Sequence, residues 1–495
     1  MNVGERSSGR GDAWTEEGAT KERPTREGIT AKRRQLSEPI NRAHFIGIGG
    51  AGMSGIARIM LARGIAVSGS DSTPSPVLDE LAALGARVSI GHHAANLGDL
   101  RAGDTLVVST AIRQDNPELV EAARRGMRVL HRAAALASVM AGRRVIAVAG
   151  THGKTTTTSM LTTILRDCGA EPGYAIGGVL RETGLGAEDG AGLDFVAEAD
   201  ESDRSFLLLA PDAAVITNVE ADHLDNYADL ADIQAAFTAF GRKVSGLVVS
   251  CADDPGAETV AAQLDPALVR RYGESAHADY QLSDVRPAGM AISFSVASSH
   301  SPFGEIFSQL TLGVPGRHNA LNATAAFAMA VELGFAPPRV TAALAGYRGA
   351  RRRMEPKGEA RGILVLDSYA HHPTELAADL RAARDLAEGG RVIAVFQPHL
   401  FSRTRLFAAA FGEALGLADE AVVLDIYAAR EDPEPGVTGA LVVAAVPDGK
   451  GRFVPDMDLV PAVVASLARP GDVVLTMGAG DVTKLGPRLV EELMP

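Results

Sequence analysis

The stretch that most constrains this chain is Arg144-Val145-Ile146-Ala147-Val148-Ala149-Gly150-Thr151-His152-Gly153-Lys154-Thr155-Thr156-Thr157-Thr158. Apolar residues Val145 to Ala149 run into a loop with two glycines, then a lysine and four threonines, before a segment of helical periodicity. That order predicts strand, phosphate loop, helix. The glycines let backbone N–H groups curl around an anion, the helix start turns its positive dipole to the same place, and Lys154 adds a full charge. Thr155 is then placed to offer its hydroxyl to a magnesium ion. Met160, Leu161, Ile164, Leu165 and Cys168 recur at spacings of one, three and four, which predicts a helix with one buried face. The general phosphate-loop pattern asks for glycine five places before Gly153, where this chain has Val148, so the generic match is incomplete. A bare Gly-Lys-Thr is also compatible with an ordinary polar helix start. The strand before it and the helix after it favour phosphate.

At 495 residues the chain exceeds one ordinary core, and a prior of ~150 residues per domain gives about three domains. Apolar content of 46% with 5% aromatics suits an α/β protein rich in Ala, Val and Leu, and a net charge of −13 argues against nucleic acid or an anionic membrane as a general partner. Cys168 and Cys251 lie far apart, so a reducing compartment is expected. No uncharged apolar run approaches the ~18 residues of a membrane span. The start lacks the apolar core of a signal peptide, and a soluble cytoplasmic protein is expected.

Residues 1–40 mix Arg, Lys, Glu, Gly, Ser and Thr with few aliphatics, which predicts a disordered tail carrying Trp14. A first unit, 41–137, opens with a short strand breaking into Gly47-Ile48-Gly49-Gly50-Ala51-Gly52. Gly47, Gly49 and Gly52 satisfy G-x-G-x-x-G, with Asp71 at the end of the next strand. A diphosphate site on a helix N-terminus follows. The motif leaves open which nucleotide binds, and alone it suggests NAD or FAD. Strands at Arg87 to Ile90 and Thr105 to Ser109, a helix around Val77 to Leu84, and a helix opened by Asn116-Pro117-Glu118 predict a parallel, doubly wound sheet.

A second unit, 138–346, begins with the phosphate loop. Its next strand ends in Glu198-Ala199-Asp200-Glu201-Ser202-Asp203, four carboxylates within six residues, which repel one another unless cations neutralise them. A solvated acidic turn is the bland alternative; strand exits of nucleotide-binding sheets favour metal and substrate. The exit recurs at Glu220-Ala221-Asp222-His223-Leu224-Asp225, where His223 among carboxylates suggests a metal ligand or general base. Gly316-Arg317-His318-Asn319 precedes an alanine-rich helix ending near Gly334 and reads equally as a plain helix cap.

A third unit, 347–495, concentrates positive charge at Arg351, Arg352 and Arg353. Strands Ile363 to Asp367, Val392 to Phe396, Ala421 to Asp425 and Val473 to Thr476 each exit into a polar or glycine-rich loop, the pattern of a further open α/β sheet with one binding edge.

In combination these motifs resemble the Mur ligase family of peptidoglycan synthesis. The resemblance rests on Gly-Ile-Gly-Gly-Ala-Gly-Met from Gly47, Gly-Thr-His-Gly-Lys-Thr-Thr from Gly150, Glu-Ala-Asp-Glu-Ser-Asp from Glu198, Asp-His-Leu-Asp from Asp222, Gly-Arg-His-Asn from Gly316, His-His-Pro-Thr-Glu from His371 and Gln-Pro-His from Gln397. It covers nearly everything from His44 onward and explains the absent glycine, because the family's loop starts at Gly150. It implies an α/β fold of three domains: an N-terminal Rossmann-like UDP-binding sheet, a central P-loop ATPase sheet and a C-terminal Rossmann-like domain.

The implied chemistry belongs to the alanine-adding branch. ATP phosphorylates the lactyl carboxylate of UDP-N-acetylmuramate, the amine of L-alanine attacks the acyl phosphate, and phosphate leaves. Repulsion between carboxylate and triphosphate is cancelled by Lys154 and two Mg2+ ions, Thr155 and Glu198 holding one and His223 the other. Gly150, Thr151, His152, Gly153, Lys154, Thr155 and Thr156 cradle ATP, His318 and Asn319 meet the adenine, and Arg352 and Asp367 reach the nucleotide from the third domain. Tyr369, His371, His399 and Arg403 surround alanine and the acyl phosphate, while Gly49, Gly50, Ala51, Gly52, Ser70 and Asp71 hold UDP. Lys154, Glu198, His223 and Arg403 are the implied catalytic residues, in a monomer or weak homodimer.

Two positions depart from the family pattern. Ser368 stands where Asp usually precedes the tyrosine, leaving Asp367 to take the ribose contact, and Met354 stands where an aromatic is usual. Competing readings are a ligase attaching a recycled tripeptide to the same UDP sugar, a folylpolyglutamate-synthetase-like enzyme, a non-catalytic nucleotide-binding paralogue and an NAD-dependent dehydrogenase. The last explains only the first unit.

Overall fold

The computed structural model describes residues 39–429 and 431–494. The expected tail and Trp14 therefore lie, but for the last two tail residues, outside the described residues. Strands β1 (Arg42–Ile46), β2 (Ala66–Asp71), β3 (Arg87–Ile90), β4 (Thr105–Val108) and β5 (Arg128–His131) form a sheet of order β3-β2-β1-β4-β5 in which every pairing is parallel. The order reverses at β1, so the glycine loop leaves the sheet at its switch point, where such sheets bind ligands. The helix Pro117–Arg124 starts where Asn-Pro-Glu predicts, with Asn116 Oδ1 accepting from Glu118 N at 2.9 Å. The boundary expected after Ala137 falls inside a helix, Arg132–Met140.

The second sheet has the order β15-β14-β13-β12-β11-β10-β6-β9-β7-β8. Its parallel centre is β6 (Arg144–Ala149) flanked by β9 (Asp194–Glu198) and β10 (Ala213–Ile216), with β7 (Gly173–Ala175) and β8 (Ala187–Glu188) beyond β9. On the other side follow β11 (Leu247–Cys251), β12 (Val269–Gly273) and three long strands, β13 (Tyr280–Ala288), β14 (Ala291–Ser301) and β15 (Gly304–Leu312). Those last three meander antiparallel, with bulges at Ser283/Arg286 and Ser298/Ser301 that break the alternation a sequence reading depends on. All of β6 is buried, Val148 included. A glycine at Val148 would leave a gap in this strand's packing, which is why the residue belongs to the strand and the loop begins two places later.

The helix Lys154–Asp167 departs from the expected single buried face, since every residue from Thr155 to Leu165 is buried. Helix Arg317–Glu332 packs on it, and its hydroxyls turn back on the backbone. Thr158 and Thr162 donate to the carbonyls of Lys154 and Thr158 at 2.8 Å, and Ser159 to that of Thr156 at 2.8 Å. These three hydroxyls are buried with partners, whereas the fully buried Thr157 Oγ1 has none.

The third sheet, β16 (Glu355–Ala360), β17 (Ile363–Ser368), β18 (Val392–Phe396), β19 (Glu420–Val423), β20 (Gly451–Phe453) and β21 (Val473–Met477), has the order β16-β17-β21-β18-β19-β20, parallel except for the β16–β17 edge. Apolar clusters on its two faces form its own core, whereas one continuous cluster joins the first two sheets. Met354 sits in the third core at 2% exposure, filling a packing role. Both cysteines are buried and neither forms a disulfide.

Candidate active site

The exit of β6 is shaped by backbone that only glycine adopts freely. Gly150 and Gly153 have φ of +141° and +79°, and a Cβ on Gly150 would lie 1.9 Å from Thr217 Oγ1. The exit of β10 braces the loop: Thr217 Oγ1 donates to His152 O at 2.6 Å, and Asn218 Oδ1 accepts from His152 N at 2.7 Å. Lys154 folds back so that Nζ donates to Gly150 O at 2.6 Å, Thr151 O at 3.1 Å and Glu201 Oε1 at 2.9 Å. Burial opposes its charge, but the carboxylates of Glu201, Asp200 and Glu198 outweigh that and hold its pKa above the ordinary value. Burial also pushes the Glu201 carboxyl upward.

The acidic exit of β9 divides into separate roles. Asp200 pairs with Arg132 at 2.6 Å and is held down to about 2 against its burial by Arg132 and Lys154. Asp203 meets His131 at 3.3 Å. The repulsion anticipated among four carboxylates is thus answered largely by Lys154, Arg132 and His131. Glu198 instead faces Thr155, its Oε2 accepting from Thr155 Oγ1 at 3.0 Å and Gly177 N at 2.7 Å.

His223 adopts φ +52°, with Nε2 3.6 Å from Asp222 Oδ2 and 3.7 Å from Glu201 Oε1. Its pKa is lowered by burial, joined by Arg403 and Lys154 against the pull of Asp222, so a neutral ring with a lone pair faces the cleft. Arg403 Nη2 reaches Asp222 Oδ1 at 3.0 Å from the third domain. From the same domain Arg353 Nη2 lies 3.4 Å from Thr155 Oγ1. Tyr369 lies beneath the guanidinium groups of Arg352 and Arg353 at 4.9 and 5.3 Å from its ring centroid. His371 is driven down to about 3 by burial, against Glu375, and Nδ1 lies 3.3 Å from Glu375 Oε2.

In the first sheet, Gly47 has φ +77°, and Gly47 N and Ile48 N donate to Ser70 O at 2.8 and 3.0 Å. Asp71 Oδ2 accepts from Gly49 N at 2.9 Å and fixes the loop. Ala51 and Gly52 reach the main cleft, whereas Gly49, Gly50 and Asp71 lie outside it. Ser70 stands at the end of β2 beside this loop. It is fully buried and donates to Glu118 Oε2 at 2.7 Å, so it shapes the loop through its carbonyl. Glu118, also fully buried, accepts from Asn96 Nδ2 at 2.6 Å and pairs with His44 at 3.1 Å.

One cleft collects residues of all three domains: Gly52 and Arg132, then Lys154, Thr155, Glu198 and His223, then Tyr369 and His371. His318 and Asn319 join His152, Gly153 and Thr156 in an adjoining cavity, with His318 Nε2 3.4 Å from Asp379 Oδ1. Arg352 lines a second neighbouring cavity and donates to Gly478 O at 2.5 Å. Asp367 is fully buried, accepts from Thr476 at 2.8 Å and Thr483 at 2.7 Å and lies 3.5 Å from Arg352, so it supports that arginine. Ser368 Oγ donates to Asp379. His399 stacks on Tyr427 at 5.8 Å, 6.2 Å from the His371 ring and outside the cleft. Arg132 and Asn218 are site residues the sequence reading does not single out, and Glu201 enters it only as one of the four carboxylates of the acidic exit. Arg353 likewise enters it only as one of three consecutive arginines.

Residues 42–144 match the model described as Mur ligase family, catalytic domain, 148–330 the Mur ligase middle domain, and 352–480 the Mur ligase, glutamate ligase domain. The chain is 56% identical over 462 residues to a UDP-N-acetylmuramate--L-alanine ligase of Kineococcus radiotolerans, covering 92% of this chain and 96% of that one. It is 55% identical over 466 residues to the Thermobifida fusca protein of the same name, covering 92% and 97%. A solved UDP-N-acetylmuramate-alanine ligase from Thermotoga maritima superposes with TM-score 0.77 at 30% identity, covering 91% and 98% of the two chains. Three sheets in this order, a phosphate loop facing an acidic strand exit, and family matches running through all three domains have one common explanation: the chain belongs to the Mur ligase family.

Proposed function

We propose that this protein is an ATP-dependent ligase that joins L-alanine to the lactyl carboxylate of UDP-N-acetylmuramate through an acyl phosphate, releasing ADP and phosphate, in cytoplasmic peptidoglycan biosynthesis. The observation that carries the reading is the single cleft in which Lys154, Glu198 and His223 face Tyr369 and His371 of the third domain beside Gly52 of the first. Curated relatives above 50% identity bear the alanine-ligase name.

The residues supply the physical requirements in turn. The loop from Gly150 to Thr156 receives the phosphates of ATP on backbone N–H groups and Lys154, whose charge the surrounding carboxylates preserve. Thr155 Oγ1 and Glu198 are oxygen donors 3.0 Å apart, a set that fits a magnesium ion, and His223 is the donor for a second. Bound magnesium would supply positive charge between carboxylate and triphosphate. Arg353 brings another cation to Thr155 from the third domain. His318 and Asn319 bound the adenine side. Tyr369 and His371 shape the space for alanine, and Arg403 reaches it through Asp222. The loop from Gly49 to Gly52, fixed by Asp71, receives the UDP portion, with Arg132 between it and the phosphate loop. The domain division is best set after Met140, where the helix across residue 137 ends. The working unit is a monomer or weak homodimer, and no helix among the described residues is long and apolar enough to cross a membrane.

The deciding measurement is phosphate release from ATP by purified protein given UDP-N-acetylmuramate, comparing alanine, glycine, serine and the tripeptide. Alanine should stimulate release most. If no amino acid stimulates it, the ligase reading fails; if only the tripeptide does, the recycling ligase replaces it.

A further inference from the structure

We propose that His152, Glu220 and His372 form a site for a zinc-class transition-metal ion, separate from the magnesium positions at Glu198 and His223, that clasps the third domain onto the phosphate loop. One ligand atom from each of the three side chains lies within 4.8 Å of the others. The two imidazole rings face each other with centroids 4.6 Å apart, and Glu220 Oε2 is 3.6 Å from His152 Nε2.

More than proximity points to a ligand. The His372 ring is 5% exposed, yet its Nε2 has no hydrogen-bond partner, and His152 Nε2 has none either. Buried polar atoms are ordinarily satisfied, so two bare imidazole nitrogens converging on one carboxylate are unusual. The surrounding groups orient the donors as metal sites require. Glu375 Oε1 lies 3.4 Å from His152 Nδ1, a placement that holds a proton on Nδ1, so a metal ion on Nε2 displaces the second proton that the two carboxylates otherwise keep on the ring. Glu220 Oε2 accepts from Thr374 Oγ1 at 2.8 Å, which holds the carboxylate. His372 Nδ1 accepts one long bond, from Thr374 N at 3.4 Å, so a metal ion on Nε2 requires only that the ring proton move to Nδ1 and this weak bond be given up.

Two imidazoles and a carboxylate select zinc-class ions over magnesium, which prefers oxygen donors. Zinc–ligand bonds of roughly 2.0–2.2 Å place tetrahedral donors about 3.3 Å apart, so the side chains need to converge by rotation, with water as fourth ligand. His152 and Glu220 follow β6 and β10 of the second domain, whereas His372 caps the helix Pro373–Leu386 of the third. A bound ion therefore ties the two domains together. Slower turnover under zinc is the functional consequence, and that part rests on the ligase reading; the binding site itself does not.

The test uses full-length, chelator-treated protein in millimolar magnesium, which occupies the magnesium positions, with Zn2+ titrated against a chromophoric chelator. One Zn2+ per chain is expected, bound at least tenfold more weakly by His372→Asn, which keeps a capping acceptor, and by Glu220→Gln, which keeps an acceptor for Thr374. His223→Ala should bind zinc as the parent does. The proposal is overturned if the parent protein binds no zinc in magnesium, or if both His372→Asn and Glu220→Gln bind it undiminished. Neither result bears on whether alanine is ligated.

Discussion

Arg403 Nη2 lies 3.0 Å from Asp222 Oδ1, and these two buried side chains belong to different domains. Asp222 ends the strand exit that carries His223, and Arg403 sits in the first turn of the helix Phe401–Leu415 in the third domain. The guanidinium helps hold Asp222 far below the ordinary carboxylate range despite its burial. Docking of the third domain thus neutralises a charge beside His223.

Replacing Arg403 by Met leaves Asp222 buried without its cation, a change that typically costs about 3–5 kcal/mol. The docked arrangement should open, and kcat/KM should fall at least ~100-fold. Adding Asp222→Asn removes the stranded charge, so the double variant should regain a compact scattering profile while staying slow. A double variant no more compact than Arg403→Met alone would show that the pair does not control docking.

Lys154→Ala should reduce turnover at least ~1000-fold, because the lysine charge at the end of the phosphate loop is lost. The fold should survive, since Glu201 is already pushed upward by burial and can take a proton once its partner is gone. UDP-sugar binding, carried by the loop that Asp71 fixes, should persist by calorimetry. Loss of binding together with turnover would mean that the two sites are not separable.

What the sequence discloses follows the range of the interaction. The phosphate loop, the Asn116 cap and the parallel strands are local patterns, readable because three to fifteen neighbouring residues determine them. The pairings Lys154–Glu201, Arg132–Asp200 and Arg403–Asp222 join residues distant in the chain, and their register exists only once the sheets are assembled. Ser70 and Asp367 stand at strand exits with both side chains turned inward by the pleat, a placement no local pattern discloses. The β13–β15 meander escaped because bulges interrupt its two-residue period.

Ser368→Asp would restore the residue more usual in the family, but its neighbour makes it costly here. Ser368 donates to Asp379, which burial already holds above its ordinary pKa, so a second carboxylate would sit against it in a buried position. A loss of roughly 3 kcal/mol in urea-unfolding stability is expected, with a raised KM for ATP, because Asp379 also lies 3.4 Å from His318. Adding Asp379→Ser should recover most of the loss. Unchanged stability in the single variant would show that Ser368 plays no part in holding Asp379.

His152 makes stability depend on pH in a defined direction. Its ring is 11% exposed and lies between Glu220 at 3.6 Å and Glu375 at 3.4 Å, with the His372 ring tilted against it at 4.6 Å and Arg353 3.9 Å from Glu375. Burial disfavours the charged ring, but the two carboxylates outweigh burial and His372 and raise its pKa from 6.5 to about 9. Because the folded state binds this proton more tightly than the unfolded chain, the stabilisation is complete below pH 6.5 and is lost as pH rises through about 9. At about 1.4 kcal/mol per pKa unit, the loss is up to about 3 kcal/mol. Urea unfolding of chelator-treated protein should therefore show the parent falling towards His152→Gln across this window. Taking the difference between the two proteins cancels Glu201, which titrates near its lower edge. Parallel curves for parent and variant from pH 6.5 to above 9 would remove His152 as the proton-linked contact between the phosphate loop and the third domain.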